Sequence, residues 1–330
     1  MRITVVGAGS WGTALAEVAS RCHHEVLLWA HDPKVAEAIA RTRSNPIYLP
    51  ACQLDAHVRV TSSLEDAARF SETLLMATPS HHYREVLSTL LDFISGDVRV
   101  VSATKGIENE SLKRMSEISA EILGERLVGF AVLSGPTFAV EVSRGDPTAA
   151  VVASSVIAFA EEMQVALSSR TFRLYRSDDV AGVEFAGSLK NIIAIAAGVL
   201  DGIGLGSNTM AALVTRGLFE IRRLGVALGG KPETFMGLAG MGDLILTATG
   251  GLSRNRSVGI ALGQGRSIDS ILGSTRLVAE GVRTCRSAKD LAERHRIEMP
   301  ITIEIHRLIY ESESPRDAIN RLMQRALKAE

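Results

Sequence analysis

The hexapeptide Gly7-Ala8-Gly9-Ser10-Trp11-Gly12 follows the β-branched run Ile3-Thr4-Val5-Val6 and opens the alanine- and leucine-rich stretch Ala14 to Arg21. A GxGxxG turn between a strand and a helix constrains the fold more than any bulk property, because each glycine has a backbone task. Gly7 makes the tight turn, Gly9 lets the backbone approach a pyrophosphate, and Gly12 lets the helix pack closely on the strand. The helix start then offers unpaired N–H groups and partial positive charge to phosphates. The same pattern without a ligand is a plain strand–helix turn.

The remainder of the first half repeats the alternation. Glu25 to Trp29, Val58 to Val60, Thr73 to Met76, Val98 to Val101, Val128 to Leu133, Ala149 to Val152 and Thr171 to Tyr175 read as strands. Helical stretches such as Arg84 to Leu91, Leu112 to Ile122 and Ile157 to Leu167 fall between several of them. Apolar strands alternating with helices predict an α/β Rossmann-type fold with a mostly parallel sheet covered on both faces. From about Asp179 onward only helical periodicity is found. Asn208 to Leu224 is amphipathic, with Gly225 expected to cap it; Ser253 is placed to cap a helix reaching Gly263. Glu280 to His295, Pro300 to Glu311 and Pro315 to Lys328 follow. The expected organisation is a dinucleotide-binding domain over 1–185 and an all-α C-terminal domain over 186–330.

With 330 residues the chain is long enough for two cores. The 36 basic and 37 acidic residues leave a net charge of -1, so no global field points to nucleic acid, and a phosphate ligand needs a local site. Cys22, Cys52 and Cys285 are scattered, which argues against zinc or a disulfide framework and for a reducing cytoplasm. The adjacent pairs His23-His24 and His81-His82 point in different directions and make poor chelators, so no metal is expected. The most apolar run, Ile192 to Leu200, is shorter than a membrane span. Apolar helices in the second half leave room for a homodimer.

Several segments carry the residue types that a phosphorylated, reducible substrate requires. Lys105, in Ser102-Ala103-Thr104-Lys105-Gly106, follows a strand and lies at the sheet's carboxyl end, where ligands bind in doubly wound folds. Gly135 and Thr137 follow the next strand; Thr137 offers a hydroxyl or a helix cap. Lys190 opens an apolar helical run, and burial there favours acid/base work near neutrality; a lysine snorkelling at a helix end is the alternative. Asp243, in a glycine-dense segment, is able to hold an active-site lysine by a charge-assisted bond or to cap a helix. Ser253, Arg254 and Asn255 sit at a helix start, a good phosphate site. His31 and Asp32 end the second strand and pull in opposite directions: an acid there suits the ribose of NAD, a base the phosphate of NADP.

Together GAGSWGTALA at 7–16, ATKGIE at 103–108, SGPTFAVEV at 134–142, LKN at 189–191, GLAGMGDLILT at 237–247 and SRNR at 253–256 resemble the bacterial NAD(P)-dependent sn-glycerol-3-phosphate dehydrogenases, in family order across nearly the whole chain. The resemblance implies interconversion of dihydroxyacetone phosphate and sn-glycerol 3-phosphate with NAD or NADP, supplying glycerophospholipid synthesis. It implies Lys190 as proton donor and acceptor. Lys105, Gly135, Thr137, Asp243, Ser253, Arg254 and Asn255 become the substrate set. Ser10, Trp11, Lys105, Ala139, Arg254, Val278 and Glu280 become cofactor contacts, and His31 stands where many members carry arginine against the NADP 2′-phosphate. A β-hydroxyacid or 6-phosphogluconate-type dehydrogenase, and a non-catalytic dinucleotide sensor, are the competing expectations.

Overall fold

The computed structural model describes residues 1–273 and 279–327. They form two compact units, one of residues 1–105 and 113–184, the other of residues 106–112 and 185–330. The first unit alternates β1 (Arg2–Val6), α1 (Ser10–Arg21), β2 (Glu25–Trp29), α2 (Pro33–Thr42), β3 (Ser44–Asn45), β4 (Leu49–Gln53) and β5 (Val58–Thr61). It continues through α3 (Leu64–Phe70), β6 (Thr73–Met76), α4 (Ser80–Leu91), β7 (Val98–Ser102), α5 (Met115–Leu123), β8 (Leu127–Ser134), α6 (Ala139–Arg144), β9 (Thr148–Ala153), α7 (Ile157–Leu167) and β10 (Phe172–Ser177).

Eight strands make one sheet in the order β10-β9-β8-β7-β6-β1-β2-β5. Its pairs are parallel except β8 with β9. Neighbouring residues on a strand face opposite sides, so Val5 joins one buried cluster with Leu15 and Leu28, and Val6 joins another with Met76 and Tyr83. Both faces are therefore core, as a parallel sheet requires. The chain runs from β1 outward to β2 and β5, then returns to β6 on the other side of β1. That reversal is the topological switch point, where such sheets bind ligands at their carboxyl ends. The small antiparallel pair β3–β4 has no counterpart in the sequence reading, because its two strands lack apolar alternation and carry Pro50.

The second unit holds α8 (Val180–Gly202, its first turn in the first unit), α9 (Ser207–Ala227), α10 (Pro232–Met236), α11 (Asp243–Thr249), α12 (Arg254–Gly263), α13 (Ile268–Gly273), α14 (Glu280–His295), α15 (Pro300–Tyr310) and α16 (Pro315–Met323). Among its described residues there is no strand. Gly225 does not end α9: it lies inside the helix, where a Cβ would come 2.2 Å from the Phe235 ring. That glycine serves packing, and Leu228 is the cap. The apolar run around Ile192 is the middle of the 23-residue α8, which is long and apolar enough to cross a membrane by composition, yet its apolar window is wholly buried in protein.

The crossing of α8 with α12 is set by four glycines. A Cβ on Gly198 would stand 2.0 Å from the Arg256 carbonyl oxygen, and one on Gly202 2.4 Å from that of Ile260. Reciprocally, Gly259 faces the Ile195 carbonyl at 2.0 Å and Gly263 that of Val199 at 2.5 Å. Backbone meets backbone, which no side chain permits.

Buried Glu220 on α9 caps α15 from outside, accepting from the Ile301 and Thr302 amides at 2.7 and 3.2 Å. Desolvation pushes its pKa up to about 7 against those bonds. A carboxyl whose folded pKa exceeds its unfolded value of roughly 4.3 stabilises most below that value and loses the contribution as pH rises toward 7. Glu220→Gln is therefore expected to flatten the fall in unfolding free energy, read from urea titrations between pH 4.5 and 7.5, by about 2–3 kcal/mol if the whole shift is removed. An unchanged slope would show the carboxyl to be ionised throughout.

Candidate active site

The glycine turn has the form of a nucleotide cradle. Gly7, at a φ of 119°, lies under β6: a Cβ there would be 2.8 Å from the Ala77 carbonyl oxygen. On Gly12 a Cβ would collide with the Gly7 carbonyl, whereas on Gly9 it would meet nothing within 4 Å. Gly7 and Gly12 are thus packing glycines, and Gly9 faces open space. No side chain caps α1, so its first N–H groups lack the intrahelical partners they would have further along. The buried indole Nε1 of Trp11 has no partner among the described residues. Open space, uncapped amides and an orphaned donor fit a diphosphate-bearing cofactor. The Ser10 hydroxyl donates to the Tyr48 carbonyl at 2.6 Å, so what it can still offer is its backbone N–H and an acceptor lone pair.

At the end of β2, His31 is exposed with its ring edge-on to Trp29 at 5.9 Å. Asp32 caps α2, accepting from the Lys34 amide at 2.9 Å. Its Oδ1 serves the helix, while the exposed Oδ2 and His31 both remain open to a ribose substituent.

Further along the carboxyl edge, Lys105 donates to the Gly135 carbonyl at 3.3 Å and Thr137 to the same oxygen at 3.1 Å. One carbonyl thereby gathers all three expected substrate residues of this unit. Thr137 does not cap α6; Phe138 occupies that position and Ala139 begins the helix. Gly135, at a φ of 153°, packs tightly on the neighbouring strand: a Cβ there would stand 2.8 Å from the Ala150 Cα.

In the second unit, Lys190 does not open a helix. It lies near the middle of α8 and is buried. Its ammonium donates to Asp243 Oδ1 at 2.5 Å and to Thr247 Oγ1 at 2.7 Å. Asp243 is 1% exposed. The Thr247 hydroxyl in turn donates to the Asp243 carbonyl at 2.6 Å. A single turn of π-helix, Leu238–Gly242, precedes α11 and delivers Asp243 to its first position. Gly240 makes that turn possible, since a Cβ would sit 2.1 Å from the Phe235 carbonyl. Such insertions recur at functional sites. Desolvating an ammonium is costly unless it is paired and hydrogen-bonded; here one carboxylate and one hydroxyl do both. Thr247 was not among the sequence candidates, although its place one turn after Asp243 puts it on the same helix face.

The phosphate-like segment divides by role. Ser253 is spent on its own helix, accepting from the Arg256 amide at 3.2 Å. Asn255 is internal: it donates to Asn191 Oδ1 and accepts from the Gly281 amide, both at 2.9 Å. It thereby joins the residue after Lys190 to the first turn of α14, where Glu280 lies. Arg254 is the member of the trio whose side chain reaches solvent. Desolvation by surrounding protein lowers its pKa from the usual value, and the nearby Glu280 carboxylate opposes that shift. Val278 lies outside the described residues.

A Rossmann-type nucleotide unit joined to a helical unit with a buried lysine–carboxylate pair defines a nicotinamide-dependent dehydrogenase class. The family model described as NAD-dependent glycerol-3-phosphate dehydrogenase N-terminus matches residues 2–160, and its C-terminus counterpart matches residues 179–320. The chain belongs to this NAD-dependent glycerol-3-phosphate dehydrogenase family. It is 50% identical over 330 residues to glycerol-3-phosphate dehydrogenase [NAD(P)+] of Geobacter sp. (strain M21), covering 100% of this chain and 98% of that one. The enzyme of the same name from Koribacter versatilis is 50% identical over 327 residues, with 98% and 97% covered. The crystal structure of glycerol-3-phosphate dehydrogenase from Coxiella burnetii superposes with a TM-score of 0.94 at 38% identity, covering 98% of this chain and 99% of that one.

Proposed function

We propose that this protein interconverts dihydroxyacetone phosphate and sn-glycerol 3-phosphate with NAD or NADP as the redox partner. The observation that carries the reading is the buried Lys190 ammonium held by Asp243 and Thr247 in a chain of this family. The bound nicotinamide supplies or accepts the hydride. In reduction, Lys190 donates a proton to the oxygen that develops negative charge as the ketone becomes an alcohol; in oxidation the neutral amine takes that proton back. Asp243 stabilises the cationic form and Thr247 fixes where the amine points. Arg254 is the cation we assign to the substrate phosphate, and Lys105 is the ligand-binding cation we assign to the first unit. Asn255 and Ser253 act by holding α12 in place. The first turn of α1, with Trp11, and the segment opened by Ala139 hold the nucleotide.

The product is the backbone of glycerophospholipids, and we assign the enzyme to their supply in the cytoplasm. A spectrophotometric assay of NADH and NADPH oxidation with dihydroxyacetone phosphate tests the reading: phosphate-dependent turnover is expected, and nucleotide binding without turnover on any small phosphorylated ketone would reject it. Thr247→Val, which keeps the shape and removes the hydroxyl, is expected to lower kcat about tenfold with nucleotide affinity unchanged. Wild-type kcat in that variant would remove Thr247 from the lysine's support.

A further inference from the structure

We propose that Asn45, in the small β3–β4 pair, is a positioning residue for the nucleotide: it holds the peptide between Ala8 and Gly9 in the orientation that aims the Gly9 N–H at the diphosphate. Asn45 is fully buried. Its Nδ2 donates to the Ala8 carbonyl at 2.8 Å and to Thr13 Oγ1 at 2.9 Å. Its Oδ1 accepts from the Tyr48 amide at 3.1 Å. Both amide protons and the oxygen are thus engaged, and exchanging N and O would set like groups against each other at the Ala8 carbonyl and at the Tyr48 amide.

The consequence follows from peptide geometry. The bond between Ala8 and Gly9 is trans, as all described peptide bonds are. In a planar trans peptide the C=O and the N–H point in opposite directions. Fastening the Ala8 oxygen to Asn45 therefore sends the Gly9 N–H away from the β3–β4 pair. Among the described residues no acceptor takes that N–H, and the space beside the Gly9 Cα is open. The Tyr48 carbonyl, receiving the Ser10 hydroxyl, ties the next residue of the turn to the same pair. A glycine on one side of a peptide leaves it freer to rotate; here a side chain from a separate hairpin fixes it before the ligand arrives. Preorganised donors are stronger ligands for an anion because little ordering remains to be done on binding.

The proposal rests on the nucleotide reading given above, and its test separates the two. Asn45→Ala and Thr13→Val each remove one part of the network; only the first frees the Ala8 carbonyl. Dissociation constants for NADH and for ADP-ribose, which carries the diphosphate without nicotinamide, are measured by titration calorimetry beside thermal midpoints. For Asn45→Ala both constants are expected to rise by about tenfold or more, with kcat at saturating nucleotide within about twofold. Thr13→Val is expected to lower the thermal midpoint comparably and to leave both constants within about twofold. Equal weakening in the two variants, or wild-type affinity in Asn45→Ala, overturns the proposal. If Asn45→Ala does not fold, Asn45→Ser, with a shorter side chain that cannot span both partners, is read by the same criteria. A wild-type protein that binds neither ligand would instead reject the cofactor reading.

Discussion

Lys190→Met is expected to lower turnover of dihydroxyacetone phosphate by about 10²–10⁴-fold, the usual worth of a positioned acid/base, while nucleotide affinity changes by less than about twofold. Methionine has similar length and no charge, so packing in α8 is preserved. What disappears is the proposed proton donor to the developing alkoxide and the cation beside it. Stability also falls. Asp243 is 1% exposed, and breaking a buried pair by removing one partner costs about 3–5 kcal/mol. The double variant Lys190→Met, Asp243→Asn removes that lone carboxylate and is expected to regain most of the stability with none of the activity. Steady-state kinetics with denaturant titration on both variants separates chemistry from folding. Near-wild-type kcat in the folded single variant would end the role assigned to this lysine.

Gly259→Ala is expected to cost about 3 kcal/mol or more, an unusually large loss for one methyl group. The added carbon would stand 2.0 Å from the Ile195 carbonyl oxygen and 2.9 Å from the Gly198 Cα, both inside van der Waals contact. Backbone cannot rotate out of the way as a side chain would, so α8 and α12 must part. Arg254 and Asn255 belong to the first turn of α12, and Lys190 to α8. Parting those helices moves the proposed phosphate cation relative to the proposed proton donor. Both a lower thermal midpoint and a raised KM for dihydroxyacetone phosphate are expected, with faster hydrogen exchange confined to α8 and α12. A variant as stable as wild type would mean that the helices tolerate a wider crossing than their glycines suggest.

Much of this organisation was legible beforehand because it is written in local patterns. The β1–turn–α1 unit, the later strands and most helices follow from apolar periodicity and turn residues within a dozen positions. The Ser253 cap is a local hydrogen bond, legible in the sequence because its acceptor and donor lie three residues apart. Lys190, Asp243 and Arg254 stand out as residue types in suggestive settings. Where sequence and fold differ, a distant neighbour is the cause. Gly225 looks like a helix end until Phe235 is brought over it, and Thr137 looks like a cap until its hydroxyl turns to Gly135.

By itself the order of residues determined the alternation of elements, the glycine turn and the family, since periodicity, backbone permissiveness and motif order all act along the chain. Only the folded molecule decided which polar groups are already satisfied. Thr247 reached Lys190 across 57 positions, and Asn45 reached Ala8 across 37. Hydrogen bonds between groups so distant in sequence depend on directions and distances that exist only once helices and strands have packed, so no local pattern could announce them.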